Sequence, residues 1–540
     1  PGIQPRPGDC ISMTVDTQQQ QESEAAPDKP YGSLLKSSGV TGSMTMVSRV
    51  LGLVRDIVIA RVFGITDATD AFFLANKIPN FMRRLFAEGA FNQAFVPILS
   101  EYRSQRPHAA VQALVNSVAA SLGGFLLLLT VIVLIAAPYV AVPIAYGFTD
   151  EPQKFALFVE MLRITFPYLL LISMTALCSA ILNSYGRFAV SALTPALLNF
   201  SLISCSFLLA PYLRQPVLAL AWAVLLAGFA QLFFQLPFLV RLNLFPKPVL
   251  GSDKEGVARI KKLMLPALFG ASVSQINLLL DTVIASLLVT GSVSWLYYSD
   301  RLMELPLGTF GIAIAIVVLP SLSRQHAESS VQAFAETLDW ALRLVCLIAI
   351  PATLGLILLA EPLLITLFQN DNFPRSDVIS SADSLRAYAV GLLAFMSVKI
   401  FAPGFYARQN TSTPVRIGII AMATNMILNI TFYLAGLAHV GLALATSLAA
   451  FVNAGLLLWS LRQDQVFLWQ SGWLKYLLQL GLASVALVAF ILFSAGPWEA
   501  WESLSVLARV AKLAGVVGCS VLVYVLVLLL GGLRWRHIYR

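Results

Sequence analysis

The sequence predicts an all-α, polytopic membrane fold of about fourteen transmembrane helices, set out as two six-helix lobes related by a parallel internal repeat, plus two C-terminal helices. Three observations carry that prediction. Of 540 residues, 58% are hydrophobic and 12% charged, a balance far from that of soluble domains. The apolar residues gather in runs long enough to cross about 30 Å of hydrocarbon. Short motifs also recur 221 to 225 residues apart.

Taken in order, the predicted spans are 38–63, 68–86, 113–137, 157–182, 190–210, 216–240, 263–289, 293–320, 338–360, 384–404, 415–435, 439–461, 473–495 and 506–531. The second is the least hydrophobic, because Lys77, Pro79 and Arg83 fall inside it or at its end. Residues 1–32 form an N-terminal extension. Its stretch from Pro1 to Pro30 is polar, with glutamines at 18–21, and reads as disordered. It lacks the apolar core of a signal peptide. Residues 33–241 make the N-lobe with spans 1–6, residues 242–465 the C-lobe with spans 7–12, and residues 466–540 spans 13 and 14 with a tail.

The loops orient the chain. One side collects Arg84, Arg103, Arg106, Arg187, Arg241, Lys247, Lys254, Arg259, Lys261, Lys262, Arg324, Arg408, Arg416, Arg462 and the arginines of the tail. The other collects Asp67, Asp150, Glu151, Asp371, Asp377, Glu499 and Glu502 with few basic residues. Basic loops stay in the cytoplasm, so both termini are expected there. The net charge of +8 therefore reflects topology, and no nucleic-acid partner is implied. Cys10, Cys178, Cys205, Cys346 and Cys519 show neither disulfide nor zinc spacing.

The repeat pairs Asp56-Ile-Val-Ile-Ala60 with Asp281-Thr-Val-Ile-Ala285 and Val96-Pro-Ile-Leu-Ser100 with Leu319-Pro-Ser-Leu-Ser323. It also pairs Arg163 with Arg386, Tyr185-Gly-Arg187 with Tyr406-Ala-Arg408, and Leu218-Ala-Leu-Ala221 with Leu442-Ala-Leu-Ala445. Six spans separate the copies, so both have the same orientation. Such two-lobed transporters place the substrate site between the lobes.

The first span carries Arg49, Arg55, Asp56 and Arg61. An arginine at mid-bilayer costs about 2.5–3.5 kcal/mol on insertion scales. These charges must therefore face water, protein or a ligand. Helical geometry puts Arg49, Asp56 and Arg55 on one broad face, while Arg61 points elsewhere and snorkels near the far end. In the eighth span Asp300, Arg301 and Glu304 can share a face at i,i+3 and i,i+4 spacing, with Trp295, Tyr297 and Tyr298 as an amphipathic rim. Asp70, Lys77, Asn80, Arg83, Arg84 and Glu88 crowd the second span. Two readings stay open for these groups: salt bridges between helices, or an anion site. Arginine clusters suit a phosphate or pyrophosphate, because the guanidinium fork donates two parallel hydrogen bonds. An exporter of organic cations would want acids in the cavity instead.

Several segments resemble the MurJ (MviN) lipid II flippase family. They are Ser43-Met-Thr-Met-Val-Ser-Arg-Val-Leu-Gly-Leu-Val-Arg-Asp56, Asp70-Ala-Phe-Phe73 and Lys77-Ile-Pro-Asn-Phe-Met-Arg-Arg-Leu-Phe-Ala-Glu-Gly-Ala-Phe91. Tyr298-Ser-Asp-Arg-Leu-Met-Glu304 and Ala402-Pro-Gly-Phe-Tyr-Ala-Arg-Gln-Asn-Thr-Ser-Thr-Pro-Val415 complete the set. The resemblance runs from about Ser33 to the C-terminus. It implies a fourteen-helix member of the multidrug/oligosaccharidyl-lipid/polysaccharide exporter superfamily, a transporter and not an enzyme. Such a protein moves lipid II, the undecaprenyl-pyrophosphate-linked peptidoglycan precursor, from the cytoplasmic to the periplasmic leaflet of the inner membrane. It further implies that Arg49, Arg55 and Arg301 line the cavity and hold the pyrophosphate, with Arg83 contributing. Asp70, Asp300 and Glu304 belong to gating or the cavity, and Asp56, Lys77 and Glu88 complete that set. Spans 13 and 14 form a groove for the polyprenyl tail. Asp281, Asn425 and Asn429 are candidates for a sodium site in the second lobe; sodium or the membrane potential is the expected coupling, and no other cofactor is implied. Expected partners are lipid II, membrane lipids and the cell-wall synthesis and division machinery. Two alternatives stand beside this reading: a flippase for another lipid-linked oligosaccharide, and a membrane enzyme acting on lipid pyrophosphates.

Overall fold

A computed structural model of the chain describes residues 31–84, 91–249 and 251–533. The expectation of disorder before Pro30 and the expectation for Glu88 lie outside the described residues. Helix α1 (Tyr31–Phe63) ends at Gly64, whose φ of +63° suits glycine. Helix α2 (Asp67–Met82) opens with a reciprocal cap. The Thr66 hydroxyl accepts from the Thr69 amide (3.2 Å), and the Thr69 hydroxyl accepts from the Thr66 amide (2.8 Å).

There follow α3 (Phe91–Gln105), α4 (His108–Ile144), α5 (Pro152–Thr165), α6 (Tyr168–Ser184), α7 (Phe188–Leu208) and α8 (Leu218–Arg241). The second half holds α9 (Lys254–Ser286), α10 (Ser292–Pro306), a π-helical turn Leu307–Gly311 and α11 (Ile312–Ala327). Then come α12 (Val331–Leu358), α13 (Ala360–Leu367), α14 (Arg375–Val390), α15 (Leu392–Tyr406), α16 (Ser412–Leu434) and α17 (Ala438–Gln463). The chain closes with α18 (Trp473–Ala495), the short α19 (Glu499–Glu502) and α20 (Val506–Leu530).

Among the described residues, eleven helical segments are long and apolar enough to cross a membrane. Length and apolarity alone thus stop short of the expected fourteen. The three expected spans outside that set, 38–63, 68–86 and 263–289, fall on α1, α2 and α9, which carry charged residues along their length. Three expected spans are broken helices. Residues 157–182 divide at Phe166 and Pro167, because proline donates no amide to the helix. Residues 293–320 divide at the π turn after Pro306, and 384–404 at Gly391. Helix α3 was not among the expected spans. It is too short to cross, and it buries Phe91, Ala94, Phe95, Ile98, Leu99 and Tyr102 along one stripe.

Two groups of helices result. In the first, α1 lies on α7, α7 on α8, α6 on α8 and α2 on α5. In the second, α14, α15 and α16 surround α17, and α10 lies on α14. Helix α9 joins the groups, packing on α16 along part of its length and on α3 and α4 along another. Helices α18 and α20 pair and dock on the second group through α12.

The dock of α18 depends on one carboxylate. Asp339 on α12 is 2% exposed. Its Oδ2 pairs with Arg343 Nε at 2.8 Å, and its Oδ1 accepts from Trp473 Nε1 at 2.6 Å. Tyr476 donates to the Arg343 carbonyl (2.6 Å), and Tyr524 of α20 to the Leu347 carbonyl (3.1 Å). Removing one partner of a buried ion pair costs about 3–5 kcal/mol. Asp339→Ala is expected to lower the thermal unfolding midpoint in detergent and to expose the 464–472 connection to protease. Trp473→Phe, which loses one hydrogen bond worth about 1 kcal/mol, should do so less. Equal midpoints for wild type and Asp339→Ala would refute this account of the dock.

Candidate functional site: a cationic cavity between the helix groups

A cavity of about 810 Å³ opens where α1, α7, α10 and α15 converge. Arg49, Arg55, Arg83, Arg301 and Lys399 line it against two carboxylates, Asp56 and Glu304. The formal excess is three positive charges. Effective dielectric falls away from water, so such an excess acts strongly on any anion inside.

Each charge is held differently. The buried Arg55 guanidinium donates to Asp56 Oδ1 from Nε (2.9 Å) and Nη2 (2.7 Å), and to Asn199 Oδ1 from Nη1 (2.9 Å). Its Nη2 also reaches the Tyr297 hydroxyl at 3.1 Å, and that hydroxyl donates to Asp56 Oδ1 at 2.8 Å. Asn199 is fixed in turn by donating to the Ser48 carbonyl (3.0 Å). Three helices, α1, α7 and α10, therefore meet at one guanidinium–carboxylate pair. Arg301 lies over the Tyr297 ring at 5.2 Å. Its Nη1 donates to Glu304 Oε2 (3.0 Å), and its Nε stands 3.6 Å from Asp56 Oδ2. Phe73 stacks on the Tyr297 ring, centroids 4.0 Å apart. Arg49 packs against the backbone of the π turn, where a Cβ at Gly308 would collide with its guanidinium. Arg83 Nε contacts Asn80 Oδ1 at 3.4 Å.

An apolar groove of about 590 Å³ runs between α12, α18 and α20. Its wall includes Pro306 and Phe310, while Glu304, Leu305, Leu307 and Gly308 face the cationic cavity. One turn of chain thus separates the two spaces.

A second polar cluster lies on α9 and α16. Asp281 Oδ1 accepts from Asn425 Nδ2 (2.8 Å) and Asn429 Nδ2 (2.6 Å), and Oδ2 accepts from Asn277 Nδ2 (3.2 Å). The Oδ1 atoms of Asn425 and Asn429 are buried without a hydrogen-bond partner among the described residues. An aspartate with amide oxygens left over is a donor set that fits a hard cation. Lys77 of α2 reaches this region, donating to Thr282 Oγ1 at 3.0 Å, with Asp300 and Asp281 as its acidic neighbours.

The helix groups also touch at the end of the bundle bearing Gly64. Asp70, 1% exposed, accepts from the Gly291 amide at Oδ2 (2.7 Å), and at Oδ1 from the Ser294 amide (3.0 Å) and hydroxyl (2.5 Å). It caps the N-terminus of α10, where a negative charge is favoured. Asn370 and Asn372 donate to the Arg61 carbonyl at the end of α1 (3.0 and 2.9 Å). A Cβ at Gly64 would collide with the Asn372 carbonyl. Lys154 pairs with Asp67 at 2.7 Å, and Thr290 donates to the same oxygen at 2.6 Å. Burial works to raise the Asp67 titration, but the hydrogen bonds from Lys154 and Thr290 outweigh it and hold the carboxyl below its ordinary value. At the opposite end, Arg259 grips Glu101 with two bonds of 2.8 and 2.6 Å.

The structure thus brings Arg49, Arg55, Asp56, Arg83, Arg301 and Glu304 to one cavity. It sets Asp70 apart at the Gly64 end, and Lys77 beside Thr282 rather than on the cavity wall. Asp300 acts on Lys77 and does not line the cavity. Tyr297 is more than a rim residue, since its hydroxyl joins Arg55 to Asp56. Lys399 was missed, although a lysine inside the span 384–404 costs as an arginine does. Asn199 and Gly308 were missed as well, and neither carries a local signal.

A polytopic helix bundle with a charged central cavity beside an apolar groove belongs to the class of membrane transporters for amphiphilic anions. The sequence profile of the family described as lipid II flippase MurJ matches residues 59–512. A Vibrio cholerae protein described as a probable lipid II flippase MurJ is 46% identical over 94% of this chain and 97% of its own. A solved lipid II flippase MurJ in an inward closed conformation superposes with a TM-score of 0.76 at 26% identity, covering 93% of this chain and 99% of that one. An inward-facing multidrug transporter of the MATE family shares the fold alone, with a TM-score of 0.64 at 16% identity over 79% of this chain and 98% of its own. The chain belongs to the MurJ lipid II flippase family.

If the Gly64 end is a closure, losing the two amide bonds to α1 should weaken it by about 2 kcal/mol. The double variant Asn370→Ala/Asn372→Ala, on a background with Ser48→Cys and no other cysteine, is expected to show roughly thirtyfold faster labelling by a maleimide confined to the Gly64 side. Unchanged labelling would remove these contacts from the gate.

Proposed function

We infer that this protein is a lipid II flippase that works by alternating access in the bacterial inner membrane, supplying peptidoglycan synthesis. The observation that carries the reading is the wall of one helical turn between the cationic cavity and the apolar groove. A molecule with a pyrophosphate and a long polyprenyl tail needs those two environments side by side. The charge bias of the loops supports a cytoplasmic position for both termini and the Arg106 end, with the Gly64 end then towards the periplasm. In this reading residues 33–241 and 242–465 are the two lobes, and α18 to α20 form the tail groove.

Arg83 meets the pyrophosphate first and passes it to Arg49, Arg55 and Arg301. Arg55 already holds Asp56, and Arg301 holds Glu304 and faces Asp56 as well. Phosphate oxygens take the place of those carboxylates, because a guanidinium fork holds phosphate as well as carboxylate. The exchange withdraws Asp56 from Arg301 and loosens the tie between α1 and α10. Substrate binding thereby favours one state of the lobes over the other, which is what coupling requires. Asp70 and the Asn370–Asn372 pair keep the periplasmic end shut until that tie changes. The membrane potential, worth about 2.3 kcal/mol per charge per 100 mV, can drive the return. Sodium, held by Asp281, Asn425 and Asn429, would supply Asp281 with a countercharge in place of Lys77. The cell-wall synthesis and division machinery are the protein partners this role implies.

Arg49→Ala, Arg55→Ala and Arg301→Ala are each expected to abolish lipid II translocation in proteoliposomes while leaving insertion intact. Loss of one buried charge-assisted contact of about 1.5–3 kcal/mol should weaken lipid II binding by at least tenfold. Full translocation by all three variants would defeat the reading.

A further inference from the structure

Beyond Arg83, the cationic cavity continues into a chamber of about 680 Å³ inside the first helix group. That volume lies within the usual range for ligand pockets, about 300–1,000 Å³. The two spaces share Arg83, Asn183, Phe188, Ser191 and Pro195. Apart from Arg83 at the junction, the described residues lining the chamber are uncharged, and many are hydroxyls or amides.

The chamber wall is built rather than incidental. Gln231 and Gln235 of α8 are buried to 2% and 0%. Gln231 accepts from the Tyr168 hydroxyl (3.3 Å) and donates to the Thr194 carbonyl (3.2 Å). Gln235 donates to the hydroxyls of Ser179 and Thr194, both at 2.8 Å. Ser179 accepts that bond, which leaves its own proton to donate. Asn92 presents a buried Oδ1 that has no partner among the described residues. Two buried amides thus fix α6 and α7 so that neutral donors and acceptors face the chamber.

Three environments then follow one another: an apolar groove, a cationic cavity and a neutral polar chamber. We propose that the chamber binds the disaccharide of the substrate, the uncharged hydroxyl- and amide-bearing part that comes next after the pyrophosphate. Among the described residues, the chamber offers a carboxylate no cation beyond Arg83 at its mouth, whereas the cationic cavity holds five cationic side chains, so the charged peptide branch stays in the cationic cavity. A wall built to hydrogen-bond hydroxyls discriminates strongly against a ligand that lacks them, because its buried groups are then left unpaired. The proposal rests on the lipid II reading and adds a specificity subsite to it.

The test compares two probes that share tail and pyrophosphate: lipid II, and undecaprenyl pyrophosphate without sugar. Binding to the purified full chain is measured for wild type, for the variant Asn92→Ala/Ser179→Ala/Thr194→Val, and for Arg49→Ala. The triple variant should bind lipid II about tenfold more weakly and undecaprenyl pyrophosphate within twofold of wild type. Arg49→Ala should lose affinity for both. Loss of neither probe, or equal loss of both, by the triple variant would overturn the chamber as a sugar site. Wild type that binds neither probe would instead overturn the lipid II reading itself. The unfolding midpoint of each variant is recorded. Should the triple variant unfold, Asn92→Ala alone, which removes no side-chain hydrogen bond seen among the described residues, must show the same selectivity for the proposal to stand.

Discussion

A guanidinium inside a membrane protein has to be matched, and the matching of Arg55 organises the centre of this molecule. Its partners come from its own helix, from α7 through Asn199 and from α10 through Tyr297. Unpaired, such a charge would cost several kcal/mol. Matched, it ties together helices far apart in sequence, at the place where the two halves of the chain meet. Asp56 sits at the centre of the knot, facing Arg55, Tyr297 and Arg301 at once. Any change in what Asp56 touches is felt by both helix groups.

Energetic anomalies made part of this site legible in the sequence. Arg49, Arg55 and Asp56 stand out because charges are costly in an apolar run, and the internal repeat points to Arg301 on the facing helix. The helices were legible for the complementary reason, that long apolar runs have few alternatives in a bilayer. Asn199 and Gly308 were not. An asparagine in a span is mildly polar, and Gly308 is one glycine among 33. Their roles depend on what stands opposite them, which local pattern does not encode. Helix α3 was obscured because it packs on the bundle without crossing it. The breaks at Pro167 and Gly391 went unread because hydropathy does not sense backbone direction.

The two ends of the bundle are joined by different chemistry. Where Arg259 meets Glu101, opposite full charges face each other in solvent, and hydrogen bonds from Arg259 hold the Glu101 carboxyl below its ordinary titration. Screening by salt weakens such a pair. The Gly64 end relies more on short directed bonds, with Asp70 against backbone amides and Asn370 and Asn372 against a carbonyl. Those bonds depend on alignment, so they hold or release as a set. The first end thus rests on an exposed ion pair, while the second adds aligned backbone contacts to its Lys154–Asp67 pair.

The π turn at Leu307–Gly311 has a consequence for pharmacology. One side of this turn carries Phe310 in the apolar groove, and the other carries Gly308 beneath Arg49. A fat-soluble inhibitor lodged in the groove would press on the very backbone that positions the arginine. It would act on the charged site from the bilayer, as a lever rather than a competitor, and would need neither negative charge nor passage through water.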